Sequence, residues 1–329
     1  MLGLLGSLLL ASAPAWGQDP TWLVLLKGAS QLGFYTPQGK LVASVPVGQH
    51  PHEMALSADG RYLYTTDNGT MRIEQAGTGG NTVSIVDLVA REKTGEISLG
   101  HFRRPHGIDL DHQTGLLAVS TELPDQLIII DAGKRAILQT WPTQGKTSHM
   151  VKWGPGARWA FVSNSNSANV SAIERSTGRV VLIPAGPRPE GSVLSADGKR
   201  LFVVNREGAS ITVIDTEHQK AVGRMTTGRG PVRIAVTPDG KQLVYALMHE
   251  NKIEFADPQT LRVTGQVGLP AGPLVSLTVS ADGRYAFASA QERDTVFVVS
   301  IPERKLVQQF QTAAGAGPDP ALAVRLRNK

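Results

Sequence analysis

The chain has 329 residues, 41% hydrophobic and 19% charged, with 35 glycines and 20 prolines, a globular and turn-rich composition rather than a disordered one. Its formal charge of +5 comes from Lys and Arg scattered through turns such as Lys199-Arg200, and aromatics make up only 5%. That excludes the basic, aromatic-lined stripe of a nucleic-acid reader. The absence of cysteine excludes disulfides, thiolate metal sites, cysteine nucleophiles and acylation at cysteine.

At the N-terminus, residues 1–13 form a Leu-rich apolar run without a charged side chain. It is too short for the ~20 apolar residues of a membrane span. Ala15-Trp16-Gly17 before Gln18-Asp19 fits the small-x-small cleavage pattern. Residues 1–17 therefore read as a signal peptide and 18–329 as one domain. The expected protein is exported, periplasmic or secreted, with no transmembrane segment after cleavage.

From there one unit recurs. Residues 22–48 look like the second, third and fourth strands of a unit that lacks its first. The first full unit opens at Pro51-His52-Glu53-Met54-Ala55-Leu56 and reaches the turn Asp59-Gly60. Degenerate copies begin at His106 and His149, and clearer ones at Pro189-Glu190, Val232 and Val275. The interval is about 42 residues, the period of four-stranded propeller blades. Inner strands alternate, as in Ile108/Leu110, Val151/Trp153 and Ile234/Val236, so one face packs. Asp197-Gly198, Asp239-Gly240 and Asp282-Gly283 join first to second strands as hairpin turns. Third strands end in Asp, as in Ile211-Thr212-Val213-Ile214-Asp215. At the C-terminus, Pro318-Asp319-Pro320-Ala321-Leu322-Ala323-Val324 looks like a first strand with nothing after it. Joined to 22–48 it completes a seventh unit and removes the exposed sheet edges. The expected fold is all-β: a seven-bladed propeller with four antiparallel strands per blade, its last blade closed by strands from both ends of the chain.

These repeats, with second strands such as Phe202-Val203-Val204-Asn205 and Gly-terminated fourth strands, resemble the bacterial YVTN/YncE-like repeat propellers, which are related to the cytochrome d1-type and lactonase-like propellers. The resemblance covers nearly the whole mature chain. It implies the fold and leaves function open, because those families host binding proteins, cofactor carriers and enzymes on one scaffold. The first full unit departs from the pattern by an insertion over residues 68–80.

Blade equivalence then allows residues distant in sequence to be compared. At the start of the inner strands stand His52, His106, His149, Glu190, Val232 and Val275, with Asp319 or Pro320 in the closing blade. The second-strand ends offer Asp67, Glu122, Asn164, Asn205, His249 and Gln291. Three histidines and a glutamate at equivalent positions of four consecutive blades, where two later blades carry Val, is the sharpest feature. Imidazole with carboxylate suits Zn, Cu or Fe, with Mn a further option. The competing reading is polar residues that hydrate a channel mouth or bond a neighbouring blade's backbone. Glu53 and Arg233 follow ring positions and are candidates for ligand contact or for bridging blades. Glu122 and Asn164 are candidates to orient a metal-bound histidine, or turn caps. Asp67, Asn205 and His249 complete the candidate ligand-binding set. Arg103-Arg104 reads as an exposed pair, or as a pair lining the mouth and binding carboxylate or phosphate, and the glycine-rich insertion as a lid over the mouth or a plain surface loop.

Three functions follow. The chain binds a metal ion or small ligand at one channel mouth through His52, His106, His149 and Glu190. Alternatively it is a metal-dependent lactonase-like hydrolase or lyase. As a third alternative it is a scaffold docking a periplasmic protein partner. Haem d1 or a quinone cofactor stays open as a narrower option.

Overall fold

A computed structural model of the protein describes residues 20–326. Residues 1–17, expected to be a signal peptide, lie outside the described residues. Among them the chain folds into seven sheets, each of four antiparallel strands, in a closed ring. We number the blades from the first complete one: I (51–98), II (103–142), III (148–184), IV (189–226), V (231–268) and VI (276–311). Blade VII pairs the C-terminal strand Pro318–Val324 with Thr21–Leu26, followed by Gln31–Tyr35 and Leu41–Pro46. The closing register runs Thr21↔Val324, Trp22↔Ala323 and Leu23↔Leu322, as the incomplete units at the two ends of the chain predict.

The core lies between blades. Second and third strands are buried on both faces, as in Leu201, Phe202, Val203 and Val204 or Leu127 through Ile130, and so read as continuous apolar runs. Fourth strands are half exposed and carry the exposed apolar residues Leu41, Ile137, Leu182, Val222 and Val263. At the seam between blades VI and VII, Trp22 packs edge-on to Phe287 with ring centroids 5.2 Å apart. Burying side chains of this size contributes about 1.5–3 kcal/mol each, so the seam that closes the ring is held by core packing as well as by strand pairing. No helix among the described residues is long and apolar enough to cross a membrane.

One local device positions the site. Where the inner strands of blades I to V begin, the pairing register shifts: between Pro51 and Met54, Pro105 and Ile108, Ser148 and Val151, Pro189 and Ser192, and Pro231 and Arg233. A bulge bends the strand and re-aims a side chain. His52, His106, His149, Glu190 and Val232 all sit inside these bulges.

Candidate metal centre at the channel mouth

The seven first-strand positions, His52, His106, His149, Glu190, Val232, Val275 and Asp319, all line one cavity of about 210 Å³. Their main chain is pinned from neighbouring blades. Thr66 Oγ1 donates to the His106 carbonyl at 2.8 Å, Ser120 Oγ donates to the His149 carbonyl, and Ser276 and Ser289 hydroxyls donate to the Asp319 carbonyl at 2.7 and 2.6 Å. Gly107 lets inner strands II and III approach: a Cβ there would stand 2.6 Å from Val151 N.

The three imidazoles converge. Ring centroids are 3.8 Å apart for His52 and His106, 3.7 Å for His106 and His149, and 6.1 Å for His52 and His149. One nitrogen from each lies within 4.8 Å of the others. None of the ring nitrogens takes the backbone-bonding role of the competing reading. His106 Nδ1 bonds Glu122 Oε1 at 2.6 Å. The carboxylate must accept, so the proton sits on Nδ1 and the lone pair on Nε2. That Nε2 is buried without a hydrogen-bond partner, as are Nδ1 of His52 and Nδ1 of His149. Glu190 stands beside the triad rather than within it: its Oε2 is 3.2 Å from His149 Nε2, and its Oε1 faces Arg188 at 3.4 Å and Arg206 at 3.5 Å. A carboxylate there favours the proton on Nε2 and leaves the His149 lone pair at the orphaned Nδ1.

Burial is the main force on the three protonation equilibria. It holds His52 and His149 well below the usual imidazole value, and the neighbouring His106 adds to it in each case. His106 is also lowered by burial, against the opposing pull of Glu122. All three rings are therefore neutral at pH 7, the form that ligates a metal. On the closing blade, burial raises the Asp319 carboxyl to about 6 and lowers the Lys27 ammonium; Lys27 Nζ is 3.7 Å from Asp319 Oδ2.

The insertion 68–80 roofs this space. Met71, Arg72, Ile73 and Glu74 line the cavity. Arg72 pairs with Glu292 of blade VI, and Glu74 with Arg188 and Arg206 of blade IV, so the loop crosses the mouth. Its neck is closed by a bond from Gly80 N to the Asn68 carbonyl at 2.8 Å. Arg104 is not the exposed residue that its sequence context suggests. It is buried, donates to the carbonyls of Ile73 and Gln75 at 2.7 and 3.2 Å, and sets its Nε 2.8 Å from Glu122 Oε2. One arginine thus ties the lid to the carboxylate that orients His106.

The remaining candidates fall into three groups. Glu53 and Arg233 meet each other across the channel, with Arg233 Nη2 donating to Glu53 Oε1 at 2.7 Å, and bridge blades I and V. Asp67, Asn164 and Asn205 turn into their own blades and are not among the cavity residues. Asp67 accepts from Gly48 N, Thr82 and Ser84. Asn205 accepts from Gly186 N and donates to Ser210 and Thr212. Asn164 donates to Asn169 and Ser171. His249 is exposed, because its strand stops at Leu247; Met248 lines the cavity instead. Lys27 is a cavity residue that blade comparison passes over. The available signal was a lone cation directly after the apolar strand Thr21–Leu26.

No protein-family model and no curated protein matches this chain. Solved structures do. The chain is similar to a protein of unknown function from Desulfotomaculum acetoxidans DSM 771 (TM-score 0.77, 15% identity, 92% of this chain and 98% of that one). It is also similar to dihydro-haem d1 dehydrogenase NirN in complex with DHE (0.66, 18%, 95% and 77%), and to hydrazine synthase from Kuenenia stuttgartiensis (0.64, 19%, 86% and 90%). At these identities the likeness establishes the propeller fold and nothing about chemistry.

Proposed function

We propose that the protein is an exported propeller of the YVTN/YncE-like repeat type that holds one divalent transition-metal ion at the lidded mouth of its channel. His52 and His149 would ligate through Nδ1 and His106 through Nε2. Glu122 orients the central ring, His106, and Glu190 the outer ring of His149, while Asp319 Oδ2 of the closing blade stands 3.8 Å from His52 Nδ1. The observation that carries this reading is the set of three buried, neutral imidazoles, each with one nitrogen within 4.8 Å of the others and each with one nitrogen that makes no hydrogen bond, His52 Nδ1 facing only Glu53 at 3.5 Å and Asp319 at 3.8 Å. Leaving a buried polar atom unpaired costs about 1–3 kcal/mol, and three at one point are explained together by one ion. Imidazole ligands suit Zn, Cu or Fe, and three protein ligands leave a coordination position open to the cavity.

The cavity volume favours an ion and a small ligand over haem d1 or a quinone. It falls below the ~300–1,000 Å³ of ordinary cofactor and drug-sized sites. Metal-dependent hydrolysis is a second reading, favoured by that same open position, and is tested with a lactone and ester panel on metal-loaded protein. The primary test is elemental analysis of protein purified without a His-tag, before and after dialysis against Zn. One equivalent is expected in the native chain and none when His52, His106 and His149 are all replaced by Ala. Full occupancy in the triple variant would sink the reading.

A further inference from the structure

The cavity over the imidazoles has two unlike halves. Resting on the metal reading above, we propose that it takes a short aliphatic carboxylate, with its head bridging the His-bound ion and Lys27 and its hydrocarbon against Val232, Val275 and Met248.

Charge supplies the first argument. Four cations of the cavity wall, Lys27, Arg72, Arg206 and Arg233, are matched by four carboxylates, Glu74, Glu190, Glu292 and Asp319. The wall is balanced and imidazole ligates a metal in its neutral form, so a divalent ion brings an uncompensated double positive charge into the mouth of the channel. An anionic ligand relieves that imbalance. Two donors point to where it sits. Lys27 is 3% exposed, and its Asp319 partner at 3.7 Å stands beyond ordinary hydrogen-bond length. Gln291 Nε2, in the same cavity, is buried without an acceptor.

Shape supplies the second. Where five blades carry His, Glu or Asp at the ring position, blades V and VI carry Val232 and Val275, and Met248 and Pro273 extend that apolar side. Met71 and Ile73 of the lid continue it overhead. A purely inorganic anion would leave this surface unused. The volume of about 210 Å³ matches about seven waters at ~30 Å³ each, enough for a short chain and too little for a long fatty acid.

Co(II)-loaded protein reports on the fourth ligand through its visible spectrum. Acetate, butyrate, decanoate and 1-butanol are titrated in turn. Butyrate is expected to perturb the spectrum at roughly tenfold lower concentration than acetate, the effect of two further buried methylenes. Decanoate and butanol are expected to be silent. Lys27→Met should weaken butyrate by roughly tenfold, and Val232→Ser should erase its advantage over acetate. A spectrum unmoved by butyrate at about 100 mM, a hundredfold above a millimolar Kd, overturns the proposal while leaving the metal reading intact. Equal affinity for acetate and butyrate in the native protein overturns it as well, and needs no variant to fold. A chain that takes up no Co(II) removes the metal reading and this one with it.

Discussion

Asn205 and His106 stand at the same end of neighbouring strands in their blades, and both are buried. They differ in what their polar atoms meet. The Asn205 carboxamide accepts from Gly186 N at 3.0 Å and donates to Ser210 and Thr212 at 3.1 and 3.0 Å. Nothing is left over. His106 bonds Glu122 through one nitrogen and leaves the other without a partner, and His52 and His149 likewise each keep an orphaned nitrogen. At Asp67, Asn164 and Asn205 the second-strand ends are closed hydrogen-bond circuits that staple a blade. The inner-strand ring is an open circuit. Polarity and periodicity are alike at both positions, so satisfaction, not residue type, separates framework from site.

Removing a closed circuit should cost most. Asn205→Ala removes the bonds to Gly186 N, Ser210 and Thr212, leaving Gly186 N only its longer bond to Thr212 Oγ1 at 3.3 Å, and at about 1 kcal/mol per bond the expected loss is about 3 kcal/mol by urea unfolding. His52→Leu deletes a ring whose Nδ1 has no hydrogen bond and should change the metal-free stability by less than about 1 kcal/mol. Equal losses at the two positions would erase the distinction between them.

Asp67 tests the comparison from within the framework. It occupies the Asn205 position of blade I and bonds the matching partners, but as a carboxyl whose burial raises its titration to about 6 from 3.8. A folded-state value above the unfolded one contributes stability fully below about pH 4 and loses it as pH rises through 6. At neutral pH the ionised group therefore costs about 3 kcal/mol. Asp67→Asn should be more stable than the native chain by up to that amount at pH 7 and equal to it below about pH 4, measured as urea midpoints across the range. The buried histidines act in the opposite sense in both proteins: stability present above 6.5 is lost as pH falls through their lowered values. They cancel from the difference. A Asp67→Asn advantage that did not shrink on acidification would contradict the carboxyl assignment.

Metal should separate the two regions next. Zn at about a hundredfold excess over its Kd stabilises the folded state by about 2.7 kcal/mol. The expected rise in melting temperature is present in the native chain and in Asp67→Asn, and absent in His52→Leu. A rise that survives in His52→Leu would place the ion elsewhere.

The framework was more legible than the site, for a physical reason. Blade count and closure follow from alternation and Asp-Gly turns, which are local, and the seventh blade was visible because 22–48 lacks an inner strand that 318–324 supplies. The ring was legible through the same period, since equivalent positions carry His, His, His and Glu and then Val. What sequence could not separate was ligand from staple: Asn164 and Asn205 look as available as Glu122. Their partners lie on the adjacent strand or the adjoining turn, and only three-dimensional pairing shows that their bonds are complete. Contacts across the ring were beyond periodicity altogether. Glu53 finds Arg233 on the far side of the channel, Lys27 depends on a strand from the opposite end of the chain, and Arg104 departs from its exposed sequence context because the lid supplies carbonyls to its guanidinium.

The smallest expected effect concerns that lid. Its links to the rim, Arg72 with Glu292 and Glu74 with Arg188 and Arg206, involve side chains that are half or more exposed on the Glu74, Arg72 and Glu292 sides. Such pairs contribute about 0–1 kcal/mol and are screened by salt. The neck bond from Gly80 N to Asn68 O and the Arg104 contacts hold the base of the loop without them. Glu74→Gln should therefore leave the urea midpoint of the metal-free protein unchanged while loosening the tip. Extraction of bound Zn by a chelator should become up to about fivefold faster, the effect of about 1 kcal/mol on lid opening. Raising salt should accelerate the native chain towards the variant and change the variant less, because the screened interaction is already gone. A Glu74→Gln protein that releases metal at the native rate at both ionic strengths would mean that the mouth is open to the chelator with the lid in place.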